Sequence, residues 1–158
     1  MSRNWTLRPY DPSDFDSLYQ IDQACYPPGI AYSKRTLRWF LHQRGAVCIL
    51  AHDADEISGF ILAESDAVNA RQKEGGLGHI ITLDVMETHR RCGLGSALLV
   101  ETENVLARRG IRRIELETAT DNDAAIAFWK KHGYRTRGIL QRYYLDRIDA
   151  YWMQKSLP

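Results

Sequence analysis

The 158-residue sequence has only three cysteines, Cys25, Cys48 and Cys92, too few and too scattered for a disulfide framework and without metal-ligand spacing. A reducing compartment and no bound metal are therefore expected. An apolar leader is missing as well: the chain starts Met1-Ser2-Arg3-Asn4-Trp5, and no stretch approaches the length that spans a bilayer. A cytoplasmic location without membrane contact follows as the expectation. Neither sign of charge is in excess, since 21 Lys and Arg stand against 20 Asp and Glu for a net +1. That balance disfavours nucleic acid as a partner and makes any anion-binding surface a local one. No linker is visible, and with 44% hydrophobic residues the chain 1–158 is expected to form one domain around one core.

What the sequence does contain is an alternation of strand-like and helix-like runs. Thr6 to Pro9 reads as a strand, and Asp11-Pro12-Ser13-Asp14 supplies capping side chains with a proline where a helix starts. Phe15, Leu18, Tyr19 and Ile21 form a helical stripe reaching Cys25, which Tyr26-Pro27-Pro28-Gly29 breaks. Ser33 caps a second helix with Leu37, Phe40 and Leu41 on its apolar side, expected to end near Arg44-Gly45. Ala46 to Ala51 and Ile57 to Ala63 read as an antiparallel pair around a turn at His52 to Glu56, with Gly59 marking a bulge or a close packing. Asn69 to Gly78 reads as a mobile loop and His79 to Val85 as the central strand. Leu94, Ala97, Leu98 and Val105 give the stripe of a helix over Ser96 to Arg109, stopped by Gly110. A strand at Arg113 to Thr118, a helix at Asp123 to His132 and strands at Thr136 to Leu140 and Ala150 to Lys155 complete a mixed α/β order, β-α-α-β-β-β-α-β-α-β-β.

Between the central strand and the next helix lies Arg90-Arg91-Cys92-Gly93-Leu94-Gly95. Two glycines keep side chains away from an approaching ligand, and N–H groups that open a helix suit an anion, so the turn reads as a phosphate seat. Its spacing, R-x-x-G-x-G, fits neither the P-loop, which ends Gly-Lys-Ser/Thr, nor the dinucleotide fingerprint, whose third glycine is Leu98 here.

The turn resembles the Q/R-x-x-G-x-G/A pyrophosphate loop of the GNAT superfamily of acetyl-CoA-dependent N-acetyltransferases. Residues 116–134, from Leu116-Glu117-Thr118 through Asp121-Asn122-Asp123 to His132-Gly133-Tyr134, resemble that family's second signature: strand, Asn-bearing turn, short helix and Gly-aromatic pair. The resemblance implies the GNAT fold, a mixed, mostly antiparallel sheet splayed at its central strands and flanked by helices, with acetyl-CoA as co-substrate. It also implies that backbone groups of Leu83 and Val85 pair with the pantetheine arm and that Arg90, Arg91, Cys92, Gly93, Leu94, Gly95 and Ser96 hold the pyrophosphate. Asn122 would bond the arm near its sulfur. Trp129 stands where the family usually has a tyrosine that protonates the departing thiolate. An indole N–H cannot serve as that acid, which leaves Trp129 to hydrogen-bond the sulfur or to line the cofactor slot.

Acetyl transfer needs a neutral amine, a polarised thioester and an exit for one proton. A free α-amine titrates near ~8, so a mild base acting directly or through water suffices. Glu117 is the first candidate: it shares a strand face with Glu115 and stands where N-terminal acetyltransferases of this family carry a functional Glu or His. His79 is the second, at a position occupied by a functional tyrosine in a eukaryotic relative. The resemblance places the two facing each other across the splay.

The tail, Tyr143-Tyr144 followed by Asp149-Ala150, Met153 and Leu157, is similar to the ending of the ribosomal-protein alanine acetyltransferase and of N-terminal acetyltransferase catalytic subunits. By that similarity Tyr143 and Tyr144 bind the first peptide carbonyls, and Tyr26 and Tyr32 form the opposite wall. The acceptor implied is the α-amine of a peptide or protein N-terminus, including a ribosomal protein. Two alternatives stand beside it. A small-molecule amine acetyltransferase, for a polyamine or an antibiotic, would draw on carboxylates such as Asp66 and Glu74; a non-catalytic acetyl-CoA-binding module would account for Trp129.

Overall fold

The computed structural model describes residues 4–66 and 75–158. Seven strands form one sheet: β1 (Thr6–Pro9), β2 (Val47–Asp53), β3 (Glu56–Ser65), β4 (Gly76–Val85), β5 (Ile111–Ala119), β6 (Arg135–Tyr144) and β7 (Ile148–Ser156). Four helices accompany them: α1 (Phe15–Cys25), α2 (Lys34–Leu41), α3 (Leu94–Arg108) and α4 (Asp123–Lys131). The strand order is β1-β2-β3-β4-β5-β7-β6, with β4 and β5 parallel and every other neighbouring pair antiparallel. This is the mixed, mostly antiparallel sheet expected from the sequence, in the expected element order. No helix among the described residues is long and apolar enough to cross a membrane.

Local chemistry explains where elements start and stop. Asp11 and Asp14 form a reciprocal capping box on the short 3-10 turn before α1, and Arg8 holds Asp14 through two bonds of 2.8 and 2.9 Å. Ser33 Oγ accepts from the Thr36 N–H at 3.1 Å and so caps α2. That helix ends at Leu41, short of Arg44-Gly45, with the His42 ring on the Arg38 carbonyl at 2.8 Å. α3 starts at Leu94, two residues before the expected Ser96, because Gly93 takes a left-handed conformation (φ 86°) and turns the chain directly into the helix.

The sheet separates two apolar layers. On one side Leu94, Leu98, Leu99 and Leu106 of α3 pack on Ile49, Ile61, Ile80 and Ile114. On the other, Phe15, Leu18 and Ile21 of α1 and Leu37 of α2 pack on Leu50, Phe60 and Leu62. Full burial of each leucine stabilises the fold by about 1.5–3 kcal/mol before entropy is counted.

The loop expected over Asn69 to Gly78 is corrected at its end: Gly76 to Gly78 already belong to β4, and residues 69–74 lie outside the described residues. At Gly78 a Cβ would crowd Leu106 and Ile111 at 3.2 and 3.3 Å, so strand and helix layer meet there without a side chain between them. Gly59 turns out to mark both a bulge and a close approach. The β2–β3 register slips beside it, and a Cβ at Gly59 would lie 2.7 Å from the Asp84 carbonyl oxygen.

Two irregularities of β4 build the site. Its pairing with β5 runs only from Gly76↔Ile111 to His79↔Glu115, while both strands continue, so they fork beyond His79. Its pairing with β3 slips from Leu62↔Thr82 to Ala63↔Ile80, which leaves Ile81 as an extra residue. A bulge of this kind re-aims the side chains that follow it. Ile80, Leu83 and Val85 consequently pack toward α3, while Asp84 is delivered to α1.

Candidate active site

The fork opens a cleft of about 990 Å³ bordered by the Gly93–Ser96 turn, by Leu83 and Val85 of β4, by Leu116 to Ala119 of β5, and by Asn122, Phe128 and Trp129. At its vertex stand the two candidate bases. His79 is the last residue of β4 paired with β5 and Glu117 lies two residues past its partner Glu115, so both side chains reach across the fork. His79 Nε2 lies 2.6 Å from Glu117 Oε2, and His79 Nδ1 lies 3.6 Å from Glu64 Oε1. Burial alone lowers the imidazole pKa, but the hydrogen bond to Glu117 and the charges of Glu117 and Glu64 outweigh it and hold His79 above its ordinary value. Glu64 was not singled out by sequence reasoning. It stands directly opposite His79 in the β3–β4 ladder, a register that the bulge at Ile81 makes illegible from the sequence.

Of the four candidate acceptor tyrosines, Tyr32, Tyr143 and Tyr144 lie near Glu117, and Tyr26 sits farther along β4. Tyr144 donates its hydroxyl to the Glu117 carbonyl oxygen at 3.3 Å, and Tyr143 stacks edge-on against Tyr144 with ring centroids 4.8 Å apart. From the loop after α1, Tyr26 donates to the Leu83 carbonyl at 3.3 Å and Tyr32 to the Ile81 carbonyl at 3.5 Å. Burial pushes all four phenols above their ordinary pKa, so they act as neutral hydrogen-bond donors and not as bases.

Those bonds alter the expectation for Leu83 and Val85. The Leu83 carbonyl already accepts from Tyr26, and the Val85 carbonyl accepts from Arg90 Nε at 2.9 Å and from the Cys25 thiol at 3.5 Å. In an extended strand the N–H and C=O of one residue point to the same side, so the two N–H groups face the cleft as well. They are the backbone groups left for a ligand's amide oxygens.

In the glycine turn, Arg91 (φ 59°) and Gly93 (φ 86°) both adopt positive φ, and no side chain caps α3. The first-turn N–H groups thus have no intrahelical partner, as an anion seat requires. A Cβ on Gly95 would lie 3.5 Å from Phe128 and 3.8 Å from Val85, directly in the cleft. Arg90, Arg91, Gly93, Gly95 and Ser96 line the cleft, but Cys92 and Leu94 do not. The Leu94 side chain is buried in the core and the Cys92 thiol donates to the His89 carbonyl at 2.7 Å, so only their backbone is available to a ligand. Ser96 Oγ lies 2.9 Å from His132 Nε2 and ties α3 to α4. Asn122 Oδ1 caps α4 through the Ala125 N–H at 3.1 Å, leaving its amide hydrogens to donate. Trp129 is buried edge-on between Phe128 and Tyr134 and forms the cleft wall.

A cleft bordered by the uncapped start of α3, by Leu83 and Val85 of β4, and by Glu117, Asn122 and Trp129 is compatible with acetyl-CoA. Residues 15–134 match the Acetyltransferase (GNAT) family. The chain belongs to that family. N-alpha-acetyltransferase 30 of Schizosaccharomyces pombe is 32% identical over 146 residues, covering 92% of this chain and 94% of that protein. The crystal structure of NAA60 of Arabidopsis thaliana in complex with a bisubstrate analogue superimposes with a TM-score of 0.83 at 26% identity, covering 97% of this chain and 98% of that one. The ribosomal-protein-S18-alanine N-acetyltransferase of Escherichia coli shares the fold, with a TM-score of 0.82 at 23% identity over 97% of this chain and 94% of that one. As a GNAT enzyme the protein is an N-acetyltransferase with acetyl-CoA as its acetyl donor.

Proposed function

We propose that this acetyltransferase acts on the α-amine of a peptide or protein N-terminus, by direct transfer from acetyl-CoA. The observation that carries the reading is the His79–Glu117 pair, 2.6 Å apart at the fork, with Tyr32, Tyr143 and Tyr144 near Glu117 and Tyr26 farther along β4. Neutral phenols suit peptide carbonyls, with Tyr26, Tyr32 and Tyr144 exchanging their bonds to the Leu83, Ile81 and Glu117 carbonyls for bonds to the peptide. A polyamine site would instead need carboxylates to hold extra positive charge. Of the two suggested for such a site, Asp66 is exposed at the end of β3 and Glu74 lies outside the described residues. The relative named N-alpha-acetyltransferase 30 supports the same reading.

In this reading the glycine turn and the N–H groups of Leu83 and Val85 hold the donor, and the tyrosine walls orient the peptide. The α-amine, with a pKa near ~8, is partly neutral at physiological pH. As its nitrogen bonds to the acetyl carbon and the C–S bond breaks, the amine's surplus proton passes to the Glu117–His79 pair and on to water. A thiol titrates near ~8.5, so the thiolate can leave without an acid and take its proton from solvent, which makes Trp129 compatible with turnover. Competition tests the assignment: an N-terminal peptide is expected to be acetylated in the presence of excess spermidine, and preferential acetylation of spermidine would replace the peptide reading with a small-amine one.

A further inference from the structure

Asp22 on α1 and Asp84 on β4 are both fully buried, within hydrogen-bonding reach of each other, and take no part in the chemistry above. Each carboxyl has one oxygen that is satisfied and one that is not. Asp22 Oδ2 accepts the Tyr32 N–H at 2.7 Å, and Asp84 Oδ1 accepts the Thr82 hydroxyl. Asp22 Oδ1 and Asp84 Oδ2 are buried without a donor. Two facing carboxyls with one bare oxygen apiece are satisfied together by a single proton between them; two bare charges in that place would repel.

We propose that Asp22 and Asp84 are positioning residues for the acceptor: sharing one proton, they clasp the end of α1 to β4 and thereby set Tyr26 and Tyr32 on the carbonyl edge of β4. The clasp rests on the reading of Tyr26 and Tyr32 as the acceptor wall. Its reach is short. Tyr32 hangs on Asp22 through its own N–H, Tyr26 begins four residues after Asp22, and the Tyr26 hydroxyl lies 3.5 Å from Thr82 Oγ1, the donor to Asp84. The groups that face Asp84 are Asp22 and Cys25 from α1, Tyr26 and Tyr32 from the following loop, Cys48 from β2 and Arg90 from the turn after β4. Burial, and then Asp22, raise the Asp84 carboxyl well above the usual range, while Thr82 and Arg90 act in the opposite direction.

Asparagine substitutions read the proton directly. In Asp84→Asn the amide oxygen can still accept from Thr82 while its NH2 donates to Asp22. In Asp22→Asn the oxygen accepts the Tyr32 N–H while the NH2 donates to Asp84. Each single variant therefore replaces the shared proton. In Asp22→Asn/Asp84→Asn the two pinned oxygens force NH2 against NH2. The measurement is KM for acetyl-CoA and for whichever amine the wild type turns over, peptide or small amine, across neutral to alkaline pH, with a thermal melt to verify folding. A failure of the peptide reading thus changes the acceptor used and leaves the clasp test intact.

Near-wild-type KM values are expected at neutral pH in both single variants, with a rise in acceptor KM of about tenfold or more in the double variant and little change in acetyl-CoA KM. The wild type is expected to show an alkaline rise in acceptor KM that both single variants lose. Additive effects, equal rises in both KM values, or an alkaline rise that persists in the single variants would overturn the clasp. Should the double variant fail to fold, loss of the alkaline rise in the single variants still supports it and persistence still overturns it.

Discussion

His79 and Glu117 come from strands that have just parted, yet their side chains meet at 2.6 Å. The fork is what allows this. While β4 and β5 are hydrogen-bonded there is no room between them, and past His79↔Glu115 there is a cleft for a donor. His79, in the last pair, and Glu117, two residues past it, therefore meet where the cleft begins.

Replacing Glu117 by Gln keeps its size and removes its ability to take a proton. kcat is expected to fall at least about tenfold, within the range that general bases contribute, with acetyl-CoA affinity nearly unchanged. Steady-state kinetics beside isothermal titration with CoA checks both halves; an unchanged kcat would remove Glu117 from the mechanism.

The raised pKa of His79 sets the direction of the pH profile. The imidazolium paired with Glu117 and Glu64 persists above its ordinary ~6.5, and in that form the pair has no room for the amine's proton. kcat/KM is expected to rise with pH through an apparent value above that of free imidazole, and His79→Gln should abolish this limb. The stability linkage has the opposite direction. A raised folded pKa means the pair's contribution is fully present below ~6.5 and is lost as pH rises through the folded value. Thermal melts of wild type and His79→Gln should therefore converge toward alkaline pH.

Gly93 sits at φ 86°, where a Cβ costs roughly 1–2 kcal/mol and more if branched. A Cβ there would meet only Trp5, at 4.0 Å, so the penalty is conformational and not steric. Gly93→Val is expected to raise KM for acetyl-CoA, with acceptor KM much less affected. Unaltered CoA affinity in a calorimetric titration would argue against the anion seat.

Trp129 forms a wall in this account and carries no proton. Trp129→Phe should keep kcat within about twofold because a thiolate of pKa near ~8.5 leaves unaided. A collapse of kcat with acetyl-CoA binding intact would give the indole N–H a role in the transition state.

Much of this was legible in the sequence because local chemistry decided it. Ser33 and Asn122 mark helix starts, and Pro27-Pro28 mark a helix end, by rules that act over three or four residues, whereas α3 starts earlier than read because Gly93 turns the chain into it. Glu117 was recoverable as a candidate from the second GNAT-like signature, and His79 from its match to the position of a functional tyrosine in a eukaryotic relative. Glu64, and the pairing of Asp22 with Asp84, were not recoverable, because both depend on the register of β3 on β4 and on the single extra residue Ile81. Asp84 still left a trace: one carboxylate within the apolar run Ile80 to Val85, where burial makes an unexplained charge costly. The carbonyl bonds from Tyr26, Tyr32 and Arg90 to β4 were hidden for the same reason, since only the fork exposes that edge.

The proposed function makes transfer to a free α-amine depend on the His79–Glu117 pair. Its most direct test is mass spectrometry of acetyl transfer to short peptides that differ in residue one, each with a free and a blocked N-terminus, using wild type and Glu117→Gln. Acetylation of free N-termini that vanishes on blocking and falls sharply in Glu117→Gln is the predicted result. Acetylation that survives blocking, or is confined to lysine side chains, would contradict the account.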